Sequence, residues 1–104
     1  MDNEDELTVI ITDGVWRDCI EWSDEDTNKQ KIRQSTDGRL QEVFHKLQLA
    51  IKKELPSTDC FLYEISVVLR DGKSNCTQPI KLLVVTDEGE KGEPIITVML
   101  SHEY

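Results

Sequence analysis

Six apolar residues, Leu40, Val43, Phe44, Leu47, Ile51 and Leu55, constrain the fold of this 104-residue chain more tightly than any other feature. They recur at i, i+3, i+4, i+7, i+11 and i+15, which is one stripe of a 3.6-residue period. The spacing predicts an amphipathic helix that must bury this stripe against another layer. Ser35, Thr36 and Asp37 supply N-cap candidates, and Pro56 forbids continuation. Lys52 and Lys53 fall in the last turn, where the helix macrodipole favours cations. Leu49 lies about half a turn from the stripe, among Glu42, His45, Lys46 and Lys53, and is expected at the surface.

The remaining apolar residues read as strands. Phe61, Tyr63, Ile65, Val67 and Leu69 alternate with Leu62, Glu64, Ser66, Val68 and Arg70 up to Asp71-Gly72, the pattern of a half-buried strand. Residues 79–85 are apolar on both faces, as a central strand would be, and residues 95–100 form a further strand after a turn at 87–94. Near the N-terminus, residues 7–12 and 15–22 are rich in β-branched and aromatic side chains and flank Asp13-Gly14. That dipeptide is a strong hairpin signal, because a type I′ turn needs positive φ at both central positions. The implied register places Val9 opposite Asp18 and Leu7 opposite Ile20, with Asp18 between Trp16 and Ile20 on the apolar face. Residues 23–36 are polar apart from Ile32 and read as a long loop, or as an edge strand through 29–34.

These elements predict an α+β chain: a two-layer sandwich of about five strands in ββαβββ order, with one helix on one face of the sheet. The order resembles ubiquitin-like β-grasp domains, although this chain ends Ser101-His102-Glu103-Tyr104 and has no terminal Gly-Gly. It also resembles the regulatory domains of isopropylmalate-type synthases through its helix, the strand from Tyr63 and the later Thr97-Val98 strand. A cystatin-like arrangement, one helix wrapped by a sheet, fits equally. Residues 1–6 are expected as a disordered acidic tail and 7–104 as one domain.

Charge is distributed unevenly. The chain has 21 acidic and 12 basic residues, for a net charge of −9. Residues 1–26 hold ten acids and one base, whereas the remainder is neutral, so the whole net charge sits in the first quarter. This balance opposes direct binding to nucleic acid or to anionic membranes. The start, Met1-Asp2-Asn3-Glu4-Asp5-Glu6, is the reverse of a basic, apolar signal peptide, so a cytoplasmic location is expected. The three cysteines, Cys19, Cys60 and Cys76, are odd in number and lack C-x-x-C spacing, and are expected as thiols in a reducing compartment.

No catalytic constellation emerges, and the chain is expected not to be an enzyme. His45 lies on the polar side of the helix, and consecutive Ser101-His102-Glu103 cannot form a relay. The acidic runs 24–26 and 87–90 do not fit an EF-hand loop, and no metal or cofactor is expected. The expected function is a small acidic module that binds a protein with a basic surface. Such a module could be an inhibitor or immunity-type protein that occludes a nucleic-acid-binding partner through carboxylates standing in for phosphates. The candidate contact residues are Trp16, Asp18, Ile20, Glu21, Trp22, Asp24, Glu25, Asp26 and Leu49. The alternative is a ligand-sensing regulatory domain that binds a small molecule or forms a homodimer.

Overall fold

The computed structural model describes residues 8–54 and 59–103. The expected acidic tail, Leu7, Leu55 and the helix stop at Pro56 lie outside the described residues. Among these residues the chain is α+β, with a four-stranded mixed open sheet and three α-helices. Strand β1 (Thr8–Ile11) leads into a short turn, α1 (Asp13–Val15), which widens into a π-helical turn over Trp16–Ile20. Helices α2 (Asp24–Gln30) and α3 (Thr36–Glu54) follow, then strands β2 (Cys60–Val68), β3 (Thr77–Glu88) and β4 (Pro94–Leu100), and a closing 3₁₀ turn (Ser101–Glu103).

The sheet order is β1-β4-β3-β2. Strands β2, β3 and β4 form where the apolar runs predict strands, and they pair as an antiparallel meander. Strand β1 pairs parallel with β4, Thr8 with Ile95 through Ile11 with Val98. Helix α3 forms where the periodicity places it, and the Ser35 hydroxyl accepts from the Gly38 amide (2.9 Å) as its N-cap. Val43 and Leu47 are fully buried, while Leu40, Phe44 and Ile51 pack half-buried at the margin of the core. The core joins these residues to Val15, Cys19 and Ile20 from the first turns, and to Phe61, Tyr63, Ile65, Leu82, Val84, Ile96 and Val98 from one face of the sheet.

The N-terminal hairpin does not form, which corrects the sequence expectation and removes the feature on which the β-grasp likeness rests. Asp13-Gly14 opens a helix instead of closing a turn. The Thr12 hydroxyl caps it by accepting from the Val15 amide (3.4 Å), and Asp13 sits in the first turn, where an acid is favoured. Glu21 N–H then donates to the Trp16 carbonyl (2.8 Å), five residues back, the π-helical spacing. Gly14 is needed for close approach: a Cβ there would meet the Glu103 carboxylate and lie 2.9 Å from a Leu100 methyl carbon. That carboxylate already accepts from the Thr12 hydroxyl (2.7 Å) and the Leu100 amide (2.8 Å), tying the end of β4 to the start of α1.

The segment expected as a loop carries α2. Its N-terminus is a full capping box: the Ser23 hydroxyl accepts from the Asp26 amide (3.2 Å), and the Asp26 carboxylate accepts from the Ser23 amide (2.9 Å). Lys31, in the left-handed conformation at φ 61°, closes the helix. Replacing Ser23 by Ala should therefore cost about 1 kcal/mol in urea unfolding, the usual value of an N-cap. A loss near zero would mean that 23–30 carries no capped helix.

Candidate protein-interaction surface

A buried arginine anchors the segment that carries Asp18 and Glu21. Arg39, in the first turns of α3, is 3% exposed, and its guanidinium is spread over three backbone carbonyls. Nε donates to Ile20 (3.1 Å), Nη1 to Val68 (2.9 Å) and Nη2 to Asp18 (3.2 Å). Two of these oxygens lie at the C-terminal end of the π-helical turn, where unpaired carbonyls concentrate partial negative charge. The third belongs to the last residue of β2. The guanidinium also lies 4.7 Å from the centroid of the Trp22 ring, within cation–π range. Burial lowers the Arg39 pKa, while nearby Cys19 and Asp26 oppose that shift.

Two further side chains lock α2 to the loop after β2. Gln30 is buried, donates to the carbonyls of Leu69 (2.8 Å) and Ser74 (2.5 Å), and accepts from the Gly72 amide (3.0 Å). Arg70 donates through Nε to the Asp26 carboxylate (2.6 Å), reaches the Glu21 carboxylate at 3.4 Å, and donates to the Arg17 carbonyl (3.2 Å). Trp22 is fixed at both ends, its amide donating to the Thr36 hydroxyl (3.1 Å) and its indole N–H to the Thr27 hydroxyl (2.9 Å).

The candidate residues therefore separate. Ile20 and Trp22 are buried in the interior. Asp18 is not enclosed between Trp16 and Ile20 on an apolar hairpin face, as the register implies; its half-exposed carboxylate meets Arg17 at 3.3 Å. Trp16 is 42% exposed, and Glu21, Asp24 and Glu25 are exposed, with Glu25 3.5 Å from Lys29. Asp26 is largely enclosed by its capping box and Arg70. Trp16, Asp18, Glu21, Asp24 and Glu25 thus stay at the surface along the acidic ridge of chain that runs from the π-helical turn into α2. Leu49 is 51% exposed as expected, but stands about 15 Å along α3 from Arg39 and is not part of that ridge.

Other concavities offer less. A groove of about 640 Å³ runs beside Arg33, Ser35, Glu42 and Ser66, but its strongest groups are engaged. Glu42 accepts from Lys46 (2.9 Å) and from the Ser66 amide (2.8 Å), and Arg39 is committed to its carbonyls. A smaller hollow of about 300 Å³ brings Asp18, Cys19 and His102 together. Burial pushes the Cys19 thiol up to about 11; the Asp18 carboxylate adds to this and Arg39 opposes it, so the group is a thiol rather than a nucleophilic thiolate at neutral pH. Among the described residues, no group of three or more His, Cys, Asp and Glu could hold a metal ion, and no helix is long and apolar enough to cross a membrane.

Arg39→Ala should destabilise the fold by at least about 3 kcal/mol, because it removes charge-assisted hydrogen bonds and strands buried carbonyls. Arg39→Lys should recover only part of this, since an ammonium lacks the planar fork; full recovery would show that charge alone matters. The Asp26 carboxyl carries a separate pH signature. Burial pushes its pKa up, but hydrogen bonds from Ser23 and Arg70 prevail and hold it below the ordinary 3.8. A depressed folded-state pKa adds stability that is complete above the ordinary carboxyl range and is lost as pH falls through the depressed value. Asp26→Asn should therefore flatten the acid limb of the stability–pH curve; an unchanged limb would place the acid sensitivity elsewhere.

Compared with known proteins, the chain matches no family model, no curated protein and no solved structure.

Proposed function

We propose that this two-layer α+β chain is a small, non-enzymatic, cytoplasmic module that binds a protein with a basic surface, as an inhibitor or immunity-type protein would. The occluded surface is one that otherwise contacts nucleic acid, with carboxylates taking the place of phosphates. The observation that carries this reading is the ridge itself. Asp18, Glu21, Asp24 and Glu25, with exposed Trp16, stand at the surface of consecutive segments that Arg39, Gln30 and Arg70 hold in place. Charges held in place before encounter steer association without a large ordering cost, and an aromatic among them supplies desolvated contact area. The raised pKa of Cys19 also disfavours a nucleophilic role at the nearest hollow.

The test is capture from native lysate by immobilised protein at low and high salt, set beside a triple variant, Asp18→Asn, Asp24→Asn and Glu25→Gln. The expected result is a nucleic-acid-binding protein retained at low salt, displaced by added DNA or RNA, and bound at least about tenfold more weakly by the variant. Retention indifferent to salt, competitor and the three substitutions would overturn the reading.

A further inference from the structure

The sheet has a second face, whose apolar side chains lie outside the main core cluster. Strand register arranges that face in rows. Leu62, Leu83 and Met99 lie side by side across β2, β3 and β4; Cys60, Val85, Thr97 and Ile10 form the next row across all four strands. Ile95 stands one row further, beside Asp87 and Thr8, and Glu64 lies opposite Lys81 at the other margin. Leu62 is 51% exposed and Ile10 47%, while Leu83, on β3 between β4 and β2, is buried although outside the main core cluster. Helix α3 and the first turns pack on the opposite face, so among the described residues these rows are uncovered.

We infer that this open face is the interface of a homodimer, two copies packing sheet against sheet about a two-fold axis that crosses the strands at the level of Val84. The charge pattern selects a second copy as the occupant. Such an axis reverses strand direction, so position 81 of one copy faces position 87 of the other. Lys81 therefore meets Asp87 twice, once on each side of the axis. The same operation lays the Leu62–Leu83–Met99 row over the Cys60–Val85–Thr97 row, so apolar meets apolar. A two-fold interface must be self-complementary in this way. The flexible stem of Lys81 spans the offset of about 30° that twisted sheets adopt when stacked.

A basic partner fits this face less well. The charged side chains that the strands place on it are Glu64, Lys81 and Asp87, which nearly balance, whereas the exposed acids of the π-helical turn and α2 stand elsewhere. In a chain of net charge −9, it is the surface where a like-charged copy can approach without strong repulsion. Its extent is also adequate. Four strands at their usual spacing give a footprint of roughly 600 Å², and side-chain relief brings this towards the ~800 Å² that each partner buries in a standard interface.

Sedimentation of the purified full chain over a wide concentration range reads the oligomer directly. Wild type should be a dimer, and Leu62→Glu a folded monomer by circular dichroism. Lys81→Glu alone and Asp87→Lys alone should each dimerise at least about tenfold more weakly. Their equimolar mixture should restore the dimer, because each heterodimer regains two opposite-charge pairs, an outcome that a mere folding defect cannot produce. A wild type that stays monomeric throughout overturns the inference. So does a dimer unaffected by Leu62→Glu, or a mixture that associates no better than its components. Variants of the acidic ridge should leave the dimer unchanged, so this result and that of the capture experiment are independent.

Discussion

The contact on which the arrangement depends is the Arg39 guanidinium against the carbonyls of Asp18, Ile20 and Val68. A π-helical turn ends with unsatisfied acceptors, and here that end is pressed into the interior beside the last residue of β2. Without a donor that can serve several directions, these oxygens would lie buried and unpaired, at about 1–3 kcal/mol each. Arginine meets the geometric demand because its planar fork addresses three acceptors at once while its face packs on Trp22. One side chain of α3 thereby joins the N-terminal turns, the edge of the sheet and the long helix.

Gln30 and Arg70 extend that joint outward. Gln30 fastens α2 to the loop between β2 and β3, and within that loop the Asp71 carboxyl is held at about 2 by hydrogen bonds from Ser74 and Lys73. Arg70 then ties the same loop back to Glu21 and Asp26. Asp18, Glu21, Asp24 and Glu25 consequently stand on backbone that these contacts fix. A flexible acidic segment would have to be ordered on binding, at a cost drawn from affinity; a fixed ridge avoids most of that cost. The open face of the sheet differs in kind from the acidic ridge, being apolar and nearly neutral.

Helix α3 and the strands β2, β3 and β4, though not their pairing, were legible because periodicity is a direct consequence of facing one layer: 3.6 for the stripe through Val43 and Leu47, and 2 for Phe61 through Val67. The N-terminal quarter was not. Val15 to Trp22 has strand-like composition, yet its β-branched and aromatic residues serve burial of a helical turn, and Asp13-Gly14 is compatible with either outcome. The decisive local signals were polar: Thr12 before Asp13, and Ser23 three residues before Asp26, both caps. The parallel pairing of β1 with β4 joins opposite ends of the chain and leaves no local trace. Arg39 was invisible because a basic residue beside an apolar stripe normally belongs to solvent. With the hairpin gone, the enclosed position it implied for Asp18 is gone as well, and Ile20 and Trp22 move from surface candidates to interior residues.

Residue-resolved amide hydrogen exchange in the unmodified protein tests most directly whether the acidic ridge is an integral part of the fold. The informative amides are Glu21, bonded to the Trp16 carbonyl, and Gly72, bonded to Gln30. If Arg39, Gln30 and Arg70 hold these segments as described, both amides should exchange nearly as slowly as those of the central strands, opening only with the whole molecule. Exchange of Glu21 and Gly72 that is orders of magnitude faster than that of Leu82 and Val84 would contradict the account, because the ridge would then open on its own while the sheet stayed closed.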